Sequence, residues 1–319
     1  MSWTILTAYC FWTDWKKVRL LNNLNECSRI KSPVIIWGVF DGVHLGHRAI
    51  INTLVSWARK IGRPSLVITF NEHPKRVLSA SSEPLYITSI AHRLLLLEKL
   101  GIDFCLFLPF TPEFSRMPAE EFINKILLGK IRPSGIVLAR NTVFGRNKQG
   151  NIELLRRLAP NIPLRVAPQK LYHNRVISST LIRQAINANR IKDAQAMLGR
   201  KVSILGTVVR GDRRGRELGF PTANLNPHNE ILPPAGVYIG RAKLPGGVSY
   251  KALINIGSRP TFYRAQNTVI EAHLLNYHGL LYGKEIEVDI IRYLRAEEKF
   301  PSPAALIRQI NADIKQANK

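Results

Sequence analysis

A chain of 319 residues exceeds the size at which one hydrophobic core usually keeps growing, so two domains are expected, and 45% hydrophobic content excludes a disordered or low-complexity protein. Three cysteines (Cys10, Cys27 and Cys105) without C-x-x-C spacing exclude a disulfide framework or a thiolate zinc site and suit a reducing compartment. The net charge of +24 attracts polyanions, but the basic residues are spread along the chain, so charge permits phosphate-bearing partners without selecting one.

The opening stretch "MSWTILTAYCFWTDW" has no basic lead and is interrupted by Asp14, which makes it a poor signal peptide. No stretch reaches the roughly 18 apolar residues of a membrane span. A cytoplasmic protein without a membrane partner is therefore expected.

From residue 34 apolar strands alternate with amphipathic helices. "VIIWGV" reads as a strand. "RAIINTLVSWARKIG" reads as a helix with Ile50, Ile51, Leu54, Val55, Ala58 and Ile61 on one stripe. "SLVITF" is a strand, and Thr88 is placed to cap the helix "SIAHRLLLLEKLG". The strand "IDFCLFL", the helix "PAEEFINKILLGK", the strand "GIVLA", the helix "NIELLRRLA" and the strand "PLRVAP" follow. This alternation implies a parallel sheet covered on both faces.

A long helix, "STLIRQAINANRIKDAQAMLG", leads into a different rhythm. "KVSILGTVV", "GVYIGRAKL", "SYKALINIG", "NTVIEAHLLNY" and "KEIEVDIIRYL" are short alternating segments separated by Gly, Pro and Asn, as in a small closed β-barrel. "PAALIRQINADIKQA" is a terminal helix. The domain boundary is placed near residue 187, giving domains 1–186 and 187–319.

The chemistry concentrates in four stretches. "WGVFDGVHLGHRAI" follows the first strand and opens the first helix, where open parallel sheets bind ligands. Gly38, Gly42 and Gly46 permit close backbone approach, and the free N–H groups of the helix start favour an anion. His44 and His47 are neighbours on one helical face, where imidazoles can donate to charge developing on a phosphate. A third zinc ligand and a G-x-G-x-x-G fingerprint are both missing; histidines that merely cap a turn remain an alternative.

"ISSTLIR" places Ser178, Ser179 and Thr180 before a helical run with Arg183 one turn along, which makes either a set of caps or a phosphate clamp. "RGDRRGRELGFPTANL" lets Gly211, Gly215 and Gly219 wrap a loop around an anion. It also projects Thr222 and Asn224 to one side as hard oxygen ligands, an Asn-turn being the alternative. "NTVIEAHLLNY" puts Glu271 and His273 on one face of a strand, where a glutamate is commonly just solvated.

These motifs, in this order, resemble the bacterial bifunctional riboflavin kinase/FAD synthetases, whose first domain is an H-x-G-H nucleotidyltransferase. "YITSIAHRLLLLEKLGID", "PFTPEFSRMPAEEF", "FGRNKQG", "INIGSRPTF" and "LRAEEKF" resemble further family segments. The resemblance implies an α/β plus β protein: an N-terminal Rossmann-like nucleotidyltransferase domain and a C-terminal six-stranded Greek-key barrel with a terminal helix. It further implies that ATP, riboflavin, FMN and FAD are substrates and products, with Mg2+ assisting.

In the first domain His44 and His47 would stabilise the reacting phosphates, Gly38, Phe40, Asp41 and Gly42 would shape the nucleotide turn, and Ser178, Ser179, Thr180 and Arg183 would hold phosphate oxygens. Asn141 and His73 would lie on its flavin side. In the second, Gly211, Gly215 and Gly219 would form the phosphate loop, Thr222 and Asn224 would hold magnesium, Glu271 would be the general base, and Arg295 would be a flavin-side or loop-organising residue.

Ala139, Asn141, Thr142 and Asn276 depart from the residues usual in the family. Two other readings stay open: a riboflavin kinase whose adenylyltransferase half is weakened, and a basic RNA-binding protein. Against the second, no arginine-rich tail or aromatic RNA platform is present. Small molecules are the expected partners, and self-association is left open.

Overall fold

The computed structural model describes residues 18–71, 86–211, 214–228, 231–259 and 267–318. These divide into two compact units: residues 18–71 with 93–178, and residues 86–92 with 179–318.

The first unit is built on a six-stranded, all-parallel sheet in the order β1-β4-β3-β2-β5-β6. Its strands are β1 (Arg19–Leu21), β2 (Val34–Trp37), β3 (Ser65–Phe70), β4 (Phe104–Leu108), β5 (Gly135–Leu138) and β6 (Leu164–Val166). The apolar runs "VIIW", "SLVITF" and "GIVL" are almost wholly buried, as expected of strands covered on both faces. Edge strand β1 is too short to stand out in the sequence. Because β2 lies between β3 and β5, the order of connection reverses at β2, and the crevice outside its carboxyl end is the topological switch point.

Helix α1 (Leu45–Lys60) buries Ile51, Leu54, Val55, Trp57 and Ala58 against the sheet. The expected stripe is thus shifted: Ile61 lies beyond the helix and is 40% exposed, while Trp57 fills a space that any side chain at Gly135 would overlap. Helix α2 (Ile90–Glu98) is capped one residue later than expected, by Ser89, whose Oγ accepts from His92 N at 3.2 Å; Thr88 is buried.

The run expected as an ordinary helix over 118–130 is a wide π-helix, Phe122–Ile131, closed by Arg132 N donating to Leu127 O. Its apolar residues recur four and five apart (Phe122, Ile126, Ile131) and are all buried, a spacing that suits a wider turn. Helix α3 (Ile152–Leu158) is capped by Asn151. A two-residue hairpin follows, β7 (Leu171–Tyr172) paired with β8 (Arg175–Val176); His173 and Asn174 both have positive φ, the geometry that matches strand twist.

The long helix expected over 179–199 is two helices, α4 (Ser179–Asn187) and α5 (Ile191–Leu198). The break falls where Asn189 takes φ +54° and Arg190 N reaches back to Ala185 O. Asparagine tolerates that left-handed step better than most residues.

Both helices belong to the second unit, a closed antiparallel barrel in the order β10-β13-β12-β11-β14-β9. Its strands are β9 (Val202–Val209), β10 (Ala223–Pro227), β11 (Gly236–Lys243), β12 (Ser249–Arg259), β13 (Asn267–Leu274) and β14 (Glu285–Arg295). The strand that completes the six, β10, comes from the "PTANL" stretch and not from an alternating run. Helix α6 (Pro303–Asn318) ends the chain. Segment 86–92 belongs to this unit: Ile231 N donates to Tyr86 O, and His92 Nε2 lies 3.2 Å from Glu287 Oε1 and 3.3 Å from Ser203 Oγ.

Candidate active sites

At the carboxyl end of β2 the chain makes a strained turn. Phe40, Gly42 and Val43 all have positive φ (51°, 79° and 38°), and such backbone in non-glycine residues concentrates at functional sites. The Phe40 ring lies over Gly38, where a Cβ would stand 3.1 Å from the ring edge, and Gly38 N is anchored on Ile68 O at 3.0 Å. Asp41, within the turn, is 1% exposed.

The turn delivers His44 to the N-cap of α1, where its Nδ1 accepts from His47 N at 3.3 Å. A neutral His44 therefore carries its proton on Nε2. The two imidazoles stack with centroids 3.6 Å apart, and Phe40 meets His47 edge-on at 5.3 Å. His44 thus caps the helix, the alternative left open above, while His47 Nδ1 is buried with no hydrogen-bond partner among the described residues. Burial, the His44 ring and the Arg93 guanidinium together push the His47 pKa well below its ordinary value, so the ring is neutral at pH 7.

Gly46 lets this pair lie flat on the helix start, since a Cβ there would stand 3.0 Å from His44 Cε1. The same point is 3.6 Å from the Ile177 carbonyl, which brings the start of "ISSTLIR" beside the turn, with Ser178 next in sequence. Ser179, Thr180 and Arg183 lie on α4 in the barrel's unit.

Asn141 is exposed in the turn after β5, where Thr142 N donates to Ala139 O. Ala139 is not among the residues with positive φ, so that backbone does not require glycine. His73 lies outside the described residues.

Arg93 is the residue that sequence reading missed here. It is wholly buried on α2, its Nη1 donates to Phe70 O at the carboxyl end of β3, and its charge reaches both His47 and the Cys105 thiol, which burial raises to about 12. The only sequence signal is a lone arginine inside the apolar run "HRLLLL".

In the barrel, Thr222 and Asn224 form the wall between two cavities of about 410 and 470 Å3, both of which they line. The smaller is bounded by Gly211, Arg216, Tyr277 and His278. The larger is bounded by Glu271, His273, Leu253, Phe300 and the α6 residues Leu306 and Ile310.

Across the sheet, Asn224 on β10 stands directly opposite Glu271 on β13, and Glu271 stands opposite Asn255 on β12. These three side chains therefore share one face of the barrel. His273 Nδ1 and Pro221 O lie 2.8 Å apart, tying the start of "PTAN" to the same strand. Asn255 was not singled out from sequence, because only strand register puts it beside Glu271.

The glycines serve this wall in different ways. A side chain on Gly211 would overlap the Asn224 amide, and one on Gly215 would crowd Phe220 O and Thr222 Oγ1. Gly215 lies within a short helical turn, Arg214–Glu217, and Gly219 ends it at φ +85°. Asn276 takes φ +60° after β13, a conformation in which asparagine costs less strain than most residues. Arg295 lines the larger cavity, but its hydrogen bonds run to Asp313 and to Ala296 O.

Family models match the two halves separately: FAD synthetase over residues 28–181 and riboflavin kinase over residues 198–319. The bifunctional riboflavin kinase/FMN adenylyltransferase of Buchnera aphidicola subsp. Schizaphis graminum is 32% identical, covering 95% of this chain and 98% of the relative. That of Escherichia coli K12 is also 32% identical, covering 93% of this chain and 95% of the relative. A crystal structure described as a macrolide-efflux protein from Streptococcus pneumoniae shares the fold, with a TM-score of 0.84 at 29% identity, covering 95% of this chain and 99% of that one. Among the described residues no helix is long and apolar enough to cross a membrane. With a parallel α/β unit and a closed six-stranded barrel matching the two models in order, the chain belongs to the bifunctional riboflavin kinase/FMN adenylyltransferase family and is an enzyme with both halves present.

Proposed function

We propose that domain 187–319 transfers the terminal phosphoryl group of ATP to riboflavin, and that domain 1–186 transfers AMP from ATP to the resulting FMN, releasing pyrophosphate and giving FAD. The observation that carries the kinase reading is the wall of Thr222 and Asn224 between two cavities, with Glu271 across the sheet from Asn224. ATP enters on the side of Gly211 and Arg216. Riboflavin lies on the side of Leu253 and Phe300, with its ribityl hydroxyl at the wall. Glu271 takes the hydroxyl proton as the oxygen attacks the γ-phosphorus and ADP departs.

Magnesium suits this wall. Two neutral oxygens from Thr222 and Asn224, packed against glycine backbone that admits no Cβ, leave most of the coordination to phosphate oxygens and water, which is how that ion prefers to bind. When bound it neutralises phosphate charge.

In the first domain the FMN phosphate itself attacks the α-phosphorus of ATP, so no protein nucleophile is needed. Gly38, Phe40, Asp41 and Gly42 shape the backbone that the nucleotide approaches, while His44 and His47 donate to phosphate oxygens as charge builds. Ser178 is assigned to the phosphate tail and Asn141 to the flavin side. A cytoplasmic enzyme fits this chemistry, since ATP is abundant there.

The test is direct. Purified protein is incubated with magnesium-ATP and either riboflavin or FMN, and the flavins are separated by chromatography. FAD from both substrates supports both assignments. FMN formed from riboflavin, with supplied FMN left unchanged, would leave only the kinase.

A further inference from the structure

Strand β14 ends at Arg295, and the chain beyond it, residues 296–302, must form part of the larger cavity's rim without a strand to hold it. All three nitrogens of the Arg295 guanidinium donate hydrogen bonds. Nε and Nη2 donate to Asp313 Oδ2 at 3.0 and 2.8 Å, and Nη1 donates to Ala296 O at 3.0 Å. The Asp313 carboxylate, 2% exposed, also accepts from Gln309 Nε2 on the preceding turn of α6. Phe300 lies under the guanidinium at 5.7 Å and Ala296 O accepts from it, so two points of the rim rest on Arg295, while Glu297 between them accepts from Asn255 Nδ2 at 3.2 Å.

We propose that Asp313 is a positioning residue for riboflavin phosphorylation. By holding the Nε–Nη2 edge of Arg295 from the terminal helix, it locks helix α6 and the 296–300 rim into the wall that receives the flavin, acting through Arg295. A bidentate arginine-carboxylate pair fixes orientation as well as distance, and this one joins two chain segments that the barrel's ladder does not connect. The inference rests on the kinase reading of the barrel. It predicts a defect confined to the flavin: the smaller cavity, bounded by Gly211 and Arg216, makes no use of the pair.

The test uses the full chain with Asp313→Asn, and with Asp313→Glu as the conservative variant. FMN formation is measured against riboflavin at saturating magnesium-ATP, and then the reverse. In Asp313→Asn the KM for riboflavin should rise on the order of tenfold or more, as loss of a supporting partner does elsewhere, with the KM for ATP unchanged. Asp313→Glu should recover part of that loss.

FAD formation from supplied FMN serves as the control for folding. Should Asp313→Asn not fold, Gln309→Leu removes only the third donor and should shift riboflavin KM in the same direction by a smaller factor. An unchanged riboflavin KM in folded variant protein overturns the inference, and so do equal rises for riboflavin and ATP, which mark mere loosening of the barrel. Wild-type protein that makes no FMN would instead overturn the kinase reading, and this inference with it.

Discussion

Asn224 and Glu271 are register partners across β10 and β13, and Asn255 flanks Glu271 from the other side on β12. A strand glutamate that would ordinarily be a solvated surface group is thereby set between two amides, lining the larger cavity beside the Asn224 wall. Glu271→Gln keeps shape and hydrogen-bonding capacity but removes the base. Riboflavin phosphorylation should fall by roughly 10²–10⁴, while FAD formation from supplied FMN is retained. Steady-state assays of the two half-reactions check this, and loss of both in folded protein would contradict separate sites.

Gly211 makes a sharper test of the same wall, because it carries no chemistry of its own. Its missing side chain is what allows the Asn224 amide to stand where it does. Gly211→Ala should push that amide aside and lower kinase turnover by about 10²-fold, with little change in thermal stability. Turnover at wild-type level would show that Asn224 placement is not critical.

The stacked pair at the start of α1 is the counterpart in the other half. His47→Ala should lower FAD formation by roughly 10²–10³, the loss typical of one preorganised donor, and should spare riboflavin phosphorylation. Chromatographic assay of FAD formed from FMN gives the answer.

Acid sensitivity follows from the same imidazole. In the folded chain His47 takes up its proton only well below the usual 6.5, while the unfolded chain takes it up near that value. Between those two values the unfolded state holds more protons, so the contribution to stability is present above about pH 6.5 and is lost as pH falls through that window. Thermal melts at about pH 7.5 and about pH 5.5 should therefore show a smaller acid loss in His47→Gln than in wild type. An equal loss would place the acid sensitivity elsewhere.

Much of this was legible without the fold. The alternation of buried apolar runs with amphipathic helices forces a parallel sheet. The shift to short alternating segments forces a β domain, and the glycine-and-histidine stretch after "VIIW" marks the start of a helix, because these patterns act over a few neighbouring residues. Local backbone choices were less legible. The break at Asn189, the π-helix over Phe122–Ile131 and the cap at Ser89 each turn on one or two residues whose alternatives differ little in energy.

What the tertiary structure alone decided is which distant residues meet. Strand register put Asn255 beside Glu271, burial carried Arg93 toward His47, and the close of α6 on the barrel paired Arg295 with Asp313. None of these has a periodic or spacing signal. Each is a contact between side chains separated by long stretches of chain, and only the packing of whole elements brings them within hydrogen-bonding or electrostatic range.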